Sequence, residues 1–229
     1  MRRLLLIVYT LGLLMTLAPP YEAGATAGFR QQQRASRARG KSAEVAAIEA
    51  YCKGLDKYFK STPQSTRYFV DALPEAVNAE SQAELGKTWH EVKTEREMLE
   101  AEGSYANHSI VVSMKDGQIV YADIAEPREH HRYDHKYYFR HDGTLAKIGS
   151  EFYGNIAERH LTRENFYNPD GRLLRSTSSC FRLITTLSGK REKPVSCRQD
   201  TLSVEYGNYR IPVYKRNENL PGYEILKKR

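Results

Sequence analysis

Val45, Ile48, Cys52, Leu55 and Phe59 follow one another at spacings of three and four residues, the period that lines one face of an α-helix over four turns. Ser42 stands where an N-cap belongs, and Ser61-Thr62-Pro63 closes the pattern, since proline cannot continue a helix. Leu85, Trp89, Val92 and Leu99 fit a second helical face that Arg96 interrupts. This predicts helix over most of Ser81–Glu102, with a short strand over Lys87–Val92 as the alternative.

After residue 105 the period changes. Val111–Ile119, Tyr138–Leu145 and Phe166–Leu173 each run apolar or aromatic residues into an Asp-Gly pair and resume with an apolar residue after one polar position. Asp-Gly between two such runs predicts a β-hairpin, because glycine accepts the positive φ of the turn. The three glycines, Gly117, Gly143 and Gly171, lie 26 and 28 residues apart, so the hairpin is a repeated unit. Gly207-Asn208, between Val204–Tyr206 and Tyr209–Ile211, predicts a fourth turn. The helix needs a surface for its stripe, and successive hairpins supply one. The expected fold is therefore α+β, with an N-terminal helix or helices packed on a curved antiparallel β-meander of about six to eight strands. The expected single domain covers 42–229, helical over 42–102 and a meander over 105–226.

The first 27 residues read differently. Met1-Arg2-Arg3 precedes an apolar stretch from Leu4 to Leu17, broken by Pro19 and Pro20, and Ala25-Thr26-Ala27 offers small residues for cleavage. That order is the pattern of a cleavable signal peptide over 1–27, which places the mature protein in a secreted or periplasmic compartment. The apolar stretch is shorter than the roughly 20 residues that span a bilayer, and no later segment is apolar enough, so no transmembrane segment is expected after cleavage.

The net charge of +7 is unevenly placed. Residues 28–41 hold five basic and no acidic side chains and lack an apolar stripe, so they read as a flexible basic linker. Lys227, Lys228 and Arg229 end the chain, while residues 42–226 hold 25 basic against 27 acidic side chains. A nucleic-acid-binding domain carries its positive charge on a folded face; here the charge sits in the tails, which are suited to anionic surfaces. Nucleic acid is therefore not an expected partner.

Cys180 and Cys197 bracket a strand, loop and strand, Phe181–Ile184, Ser188–Lys190 and Val195. A hairpin there brings its ends together, so a Cys180–Cys197 disulfide is expected in an oxidising compartment. Cys52 falls on the helical stripe and reads as a buried, inert thiol.

Candidate chemistry gathers in Glu129-His130-His131-Arg132-Tyr133-Asp134-His135. In a strand, His131, Tyr133 and His135 share one face while His130, Arg132 and Asp134 share the other. His131 and His135 are thus candidate metal ligands with Glu129, and His141 or His160 could complete the set. Arg132 and Lys136 oppose a cation, and the spacing matches no zinc motif. No Gly-x-Ser-x-Gly elbow, phosphate loop or dinucleotide fingerprint occurs. Sixteen tyrosines against one tryptophan favour half-wet sheet surfaces, so Tyr133, Tyr138 and Tyr167 are candidates for a binding face.

The resulting expectation is a non-catalytic binding protein for a protein, peptide or envelope polysaccharide, with no cofactor unless a metal ion sits among the histidines. A metal-dependent hydrolase using the His130–His135 cluster and a structural cell-envelope component are the alternatives.

Overall fold

The computed structural model describes the backbone of residues 22–71, 88–104, 106, 108–127, 131–154, 158–186, 189–197 and 211–228, side chains within 22–39, 41 and 185–191 excepted. Compactness divides the chain into two units, Met1–Ala43 and Glu44–Arg229. The first holds the beginning of helix α1 (Glu22–Ser61). Residues 28–41, expected as a flexible linker, fall within that helix; glutamine, arginine and alanine are good helix formers even without an apolar stripe. Residues 1–21 of the expected signal segment lie outside the described residues. Among the described residues no helix is long and apolar enough to cross a membrane.

Among the described residues the second unit is built on one open sheet of nine strands. These are β1 (Thr66–Asp71), β2 (Trp89–Val92), β3 (Ser109–Lys115), β4 (Gln118–Pro127), β5 (His131–Phe139), β6 (Leu145–Gly154), β7 (Arg159–Tyr167), β8 (Leu173–Thr186) and β9 (Gly189–Val195). Their order is β2-β1-β3-β4-β5-β6-β7-β8-β9, and every pairing is antiparallel. The three Asp-Gly pairs join β3 to β4, β5 to β6 and β7 to β8, as the repeat predicts. The protein is more β-rich than the expected α+β arrangement. Nine strands replace six to eight, because β1 and β2 lie in the region assigned to helices. Helix α2 covers only Glu95–Glu102, capped by the Thr94 side chain, which accepts from the Glu97 N–H. Trp89–Val92 takes the strand alternative, and its Trp89 is buried. The fourth predicted turn, Gly207-Asn208, lies outside the described residues.

Strand alternation gives the sheet two apolar faces. On one, Val45, Ile48, Cys52 and Leu55 of α1 pack on Val120, Tyr138, Ala146 and Phe166. Tyr51 donates to the Phe139 carbonyl at 2.7 Å, and Tyr138 donates to Asp56 at 3.1 Å. Helix α2 sets Met98 and Ala101 against Val70 on the same face, nearer the β1 edge. The opposite face carries Phe69, Ile110, Tyr137, Phe139, Leu145 and Ile148, covered by a C-terminal segment whose Leu220 and Leu226 are buried. That segment ends in a short helix α3 (Tyr223–Leu226) and is tied down by Trp89 and Tyr137, which donate to the carbonyls of Pro221 and Pro212. The Cys180–Cys197 disulfide forms as expected and links β8 to the residues just past β9.

Candidate functional site

Strand β5 carries the polar cluster, and its alternation sorts that cluster onto two faces. Arg132, Asp134 and Lys136 share the helix-bearing face with Tyr138, and their cross-strand neighbours on β6 are Tyr153, Glu151 and Gly149. The charges hold one another. Lys136 donates to Glu151 Oε1 at 2.6 Å, Tyr153 donates to Glu151 Oε2 at 2.7 Å, and Arg132 Nε donates to Asp134 at 2.8 Å. Arg132 Nη1 also reaches the nearly buried Glu102 of α2, which accepts from the Ser109 hydroxyl too. Asp123 of β4 lies opposite Lys136 and accepts from the Tyr121 hydroxyl at 3.1 Å through Oδ2.

Burial and pairing set the protonation of this row. Burial raises the Asp123 carboxyl to about 6 against the pull of Lys136. Asp134 is likewise raised by burial, with Arg132 opposing. Burial acts on Glu151 in the same sense, but the hydrogen bonds from Lys136 and Tyr153 outweigh it and hold that carboxyl below its ordinary range. Asp123 Oδ1 is buried and makes no hydrogen bond among the described residues.

The row continues across β7 and β8. Tyr153, His160 and Phe181 are direct cross-strand neighbours. The His160 ring stacks on Tyr153 at 4.2 Å between centroids with 9° between planes, and on Phe181 at 5.6 Å and 27°. Rings stacked on one another turn their edges, not their faces, toward a ligand, so this row is no platform for stacking a sugar. His160 Nδ1 lies 2.5 Å from Glu192 Oε1, and its Nε2 lies 3.9 Å from Glu151 Oε2.

Among the described residues, those singled out from sequence do not meet at one place. His131, Tyr133 and His135 lie on the face opposite the helices, where Tyr133 packs on Phe152 with centroids 5.0 Å apart. His135 is buried, its Nδ1 is 3.0 Å from Ser150 Oγ, and burial lowers its pKa to about 4. His160, a possible completing ligand, faces the other way. Glu129 and His130 lie outside the described residues, and among the described residues no group of three His, Cys, Asp or Glu is placed to hold a metal ion. Tyr138 is buried beneath α1, and Tyr167 is buried in the core of the opposite face. The three candidate tyrosines therefore do not line one open face.

Sequence reasoning missed Glu151 and Glu192, and named His160 only as a possible metal ligand; all three reach the cluster through strand register. It also missed a buried pair at the end of β1, where Asp71 accepts from the His108 backbone N–H at 3.0 Å and lies 2.9 Å from its Nδ1. Binding both backbone and ring of one residue makes that pair a clasp between β1 and β3. Comparison with known proteins finds no matching family model, no matching curated protein and no matching solved structure.

Proposed function

We propose that the protein is an exported, non-catalytic binding module whose ligand, a protein, peptide or envelope polysaccharide, rests on the row Arg132, Asp134, Lys136 and Glu151. The observation that carries this reading is the state of those side chains. Arg132 and Lys136 keep about a third of their side-chain surface exposed, yet each is fixed by a carboxylate. Polar groups already held in place lose little freedom when a ligand arrives, which favours binding. Paired charges are also poorly suited to moving protons, and Glu151 is held ionised by Lys136 and Tyr153. The disulfide suits an oxidising compartment, in keeping with the signal pattern of 1–27. The basic tails give the protein a second, weaker affinity for anionic surfaces. Nucleic acid is not the partner, because residues 42–226 are close to neutral.

The test is binding of the full chain to arrayed peptides and envelope polysaccharide fragments, with Arg132→Ala and Lys136→Ala measured beside it. The expected result is at least a tenfold loss of affinity in each variant while the melting temperature moves by only a few degrees. Ligands bound equally well by all three proteins would overturn the reading.

A further inference from the structure

Strand β8 is longer than its outer neighbour. Cys180–Thr186 pair with β9, whereas Leu173–Ser179 pair with β7 and, among the described residues, with nothing else. One hydrogen bond gives the direction of every peptide in this stretch. The Leu183 N–H donates to the Glu158 carbonyl, just before β7, at 2.8 Å. From Arg182 to Arg175 the register with β7 then runs without a shift. Alternate residues of a strand turn their backbone groups to opposite sides. Phe181, Ser179 and Thr177 therefore face β7, while Ser178 and Ser176 turn N–H and C=O outward. All of Arg175–Ser179 is exposed.

The other edges of the sheet carry the devices that keep strands from joining. Strand β9 has Lys190, Lys193 and Pro194, and β2 is only four residues long. Arg175–Ser179 has neither lysine nor proline, and its one charge is committed. Arg175 pairs with Glu49 and lies over the Phe166 ring, 4.4 Å from its centroid. This edge is left ready to accept a strand.

The side chains select the occupant. Main-chain bonds hold a strand at an edge, and pockets for its side chains give specificity. Beside this edge β7 presents Thr162, Arg163, Glu164 and Asn165, a polar surface that reads no apolar side chain. The edge does match itself. Two copies set antiparallel with Thr177 on the twofold axis place Ser176 opposite the partner's Ser178 and the reverse, each pair exchanging both of its N–H···O bonds. On the helix-bearing face Thr177 meets its own counterpart, a favourable hydroxyl pair, and Arg175 meets Ser179, so no like charges are opposed. We propose that Arg175–Ser179 is the interface of a symmetric dimer, in which β8 pairs with β8 of a second copy of this chain. The twofold axis stands perpendicular to the sheet, so both helix-bearing faces look to the same side.

The experiment reads the full chain in two ways. Sedimentation equilibrium from about 1 μM to about 1 mM should show a reversible dimer. Replacing Ser176→Pro and Ser178→Pro together should weaken it at least tenfold while the melting temperature stays within a few degrees, because each proline removes an N–H that β7 does not use. Mild oxidation of Ser176→Cys, Thr177→Cys and Ser178→Cys then reads the register. Only residue 177 meets its own counterpart, across a non-hydrogen-bonded pair with Cα atoms about 4.5 Å apart, within reach of a disulfide. Thr177→Cys should therefore crosslink at least tenfold faster than the other two. A chain that stays monomeric throughout that range would overturn the proposal. So would a dimer that the two prolines leave intact, or equal crosslinking at all three positions.

Discussion

The Asn217 backbone N–H donates to the Gly143 carbonyl at 2.9 Å, and the Asn217 side-chain amide donates to the Ile119 carbonyl at 2.9 Å. One buried residue thus fastens the C-terminal segment to the β5–β6 turn and to β4. Gly143 has φ +80°, and a Cβ built there would stand 2.8 Å from Asn217 Oδ1. Gly171 in the next turn has φ +76°, but its Cβ would meet only the Lys215 side chain, at 3.4 Å. Gly171→Ala is therefore expected to cost about 1–2 kcal/mol for the left-handed backbone alone. Gly143→Ala should cost more, because Asn217 must also move. Urea unfolding of both variants checks the order, and equal losses would show that Asn217 yields without cost.

Asp123 makes stability depend on pH in an unusual direction for an acid. Its folded pKa of about 6 exceeds the unfolded value near 4, so the native state binds the extra proton between them. Stability should fall as pH rises from about 4 to about 6, by at most about 3 kcal/mol. Asp123→Asn should remove that decline and unfold later than the parent at pH 7. Urea midpoints of the two proteins across pH 4–8 read the difference directly, and parallel curves would rule the effect out.

His135 acts in the same window with the opposite sign. Its folded pKa of about 4 lies below the ordinary value of 6.5, so the unfolded state binds the proton first. Stability should be lost as pH falls from about 6.5 toward 4. Replacing His135 by Gln should flatten that limb, so the acid limb of the parent is a balance between Asp123 and His135. The same midpoints measured on the variant test it: an unchanged acid limb contradicts the assignment.

The Cys180–Cys197 link closes a loop with a sequence separation of 17, worth about 3 kcal/mol in the chain-entropy treatment. Among the described residues strand β9 pairs with β8 alone, so the loss on Cys197→Ser should fall unevenly. Amide exchange should quicken in β9 and the adjoining half of β8 while β3 to β6 keep their protection. Uniform acceleration over all strands would show that the edge hairpin is coupled to the whole sheet.

Much of this fold is written locally. The stripe Val45, Ile48, Cys52 and Leu55 becomes the buried side of α1, and burial raises the Cys52 thiol to about 12, consistent with an inert sulfur. The Asp-Gly hairpins and the disulfide are likewise legible, because each needs only neighbouring residues. The helix-forming character of 28–41 is hidden by the lack of a stripe, and β1 and β2 by a mixed pattern around Trp89. The site is less legible for a geometric reason. The run from His131 to His135 divides between two faces, and its histidines attract notice, yet Arg132 and Asp134 point to the face where partners arrive. Those partners, Glu102, Glu151 and Tyr153, come from other elements through register that no single segment specifies.

From β4 to β9 every strand lies beside the one that precedes it in the chain. Such a sheet needs few long-range loop closures, which favours rapid folding, and it has a further property. Duplicating or deleting one hairpin of 26–28 residues beyond β6 would lengthen or shorten the sheet while leaving every pairing from β1 to β6 untouched. The sheet could thus change its width in evolution by copying a unit, with Arg132, Asp134, Lys136 and Glu151 carried along unaltered at its centre.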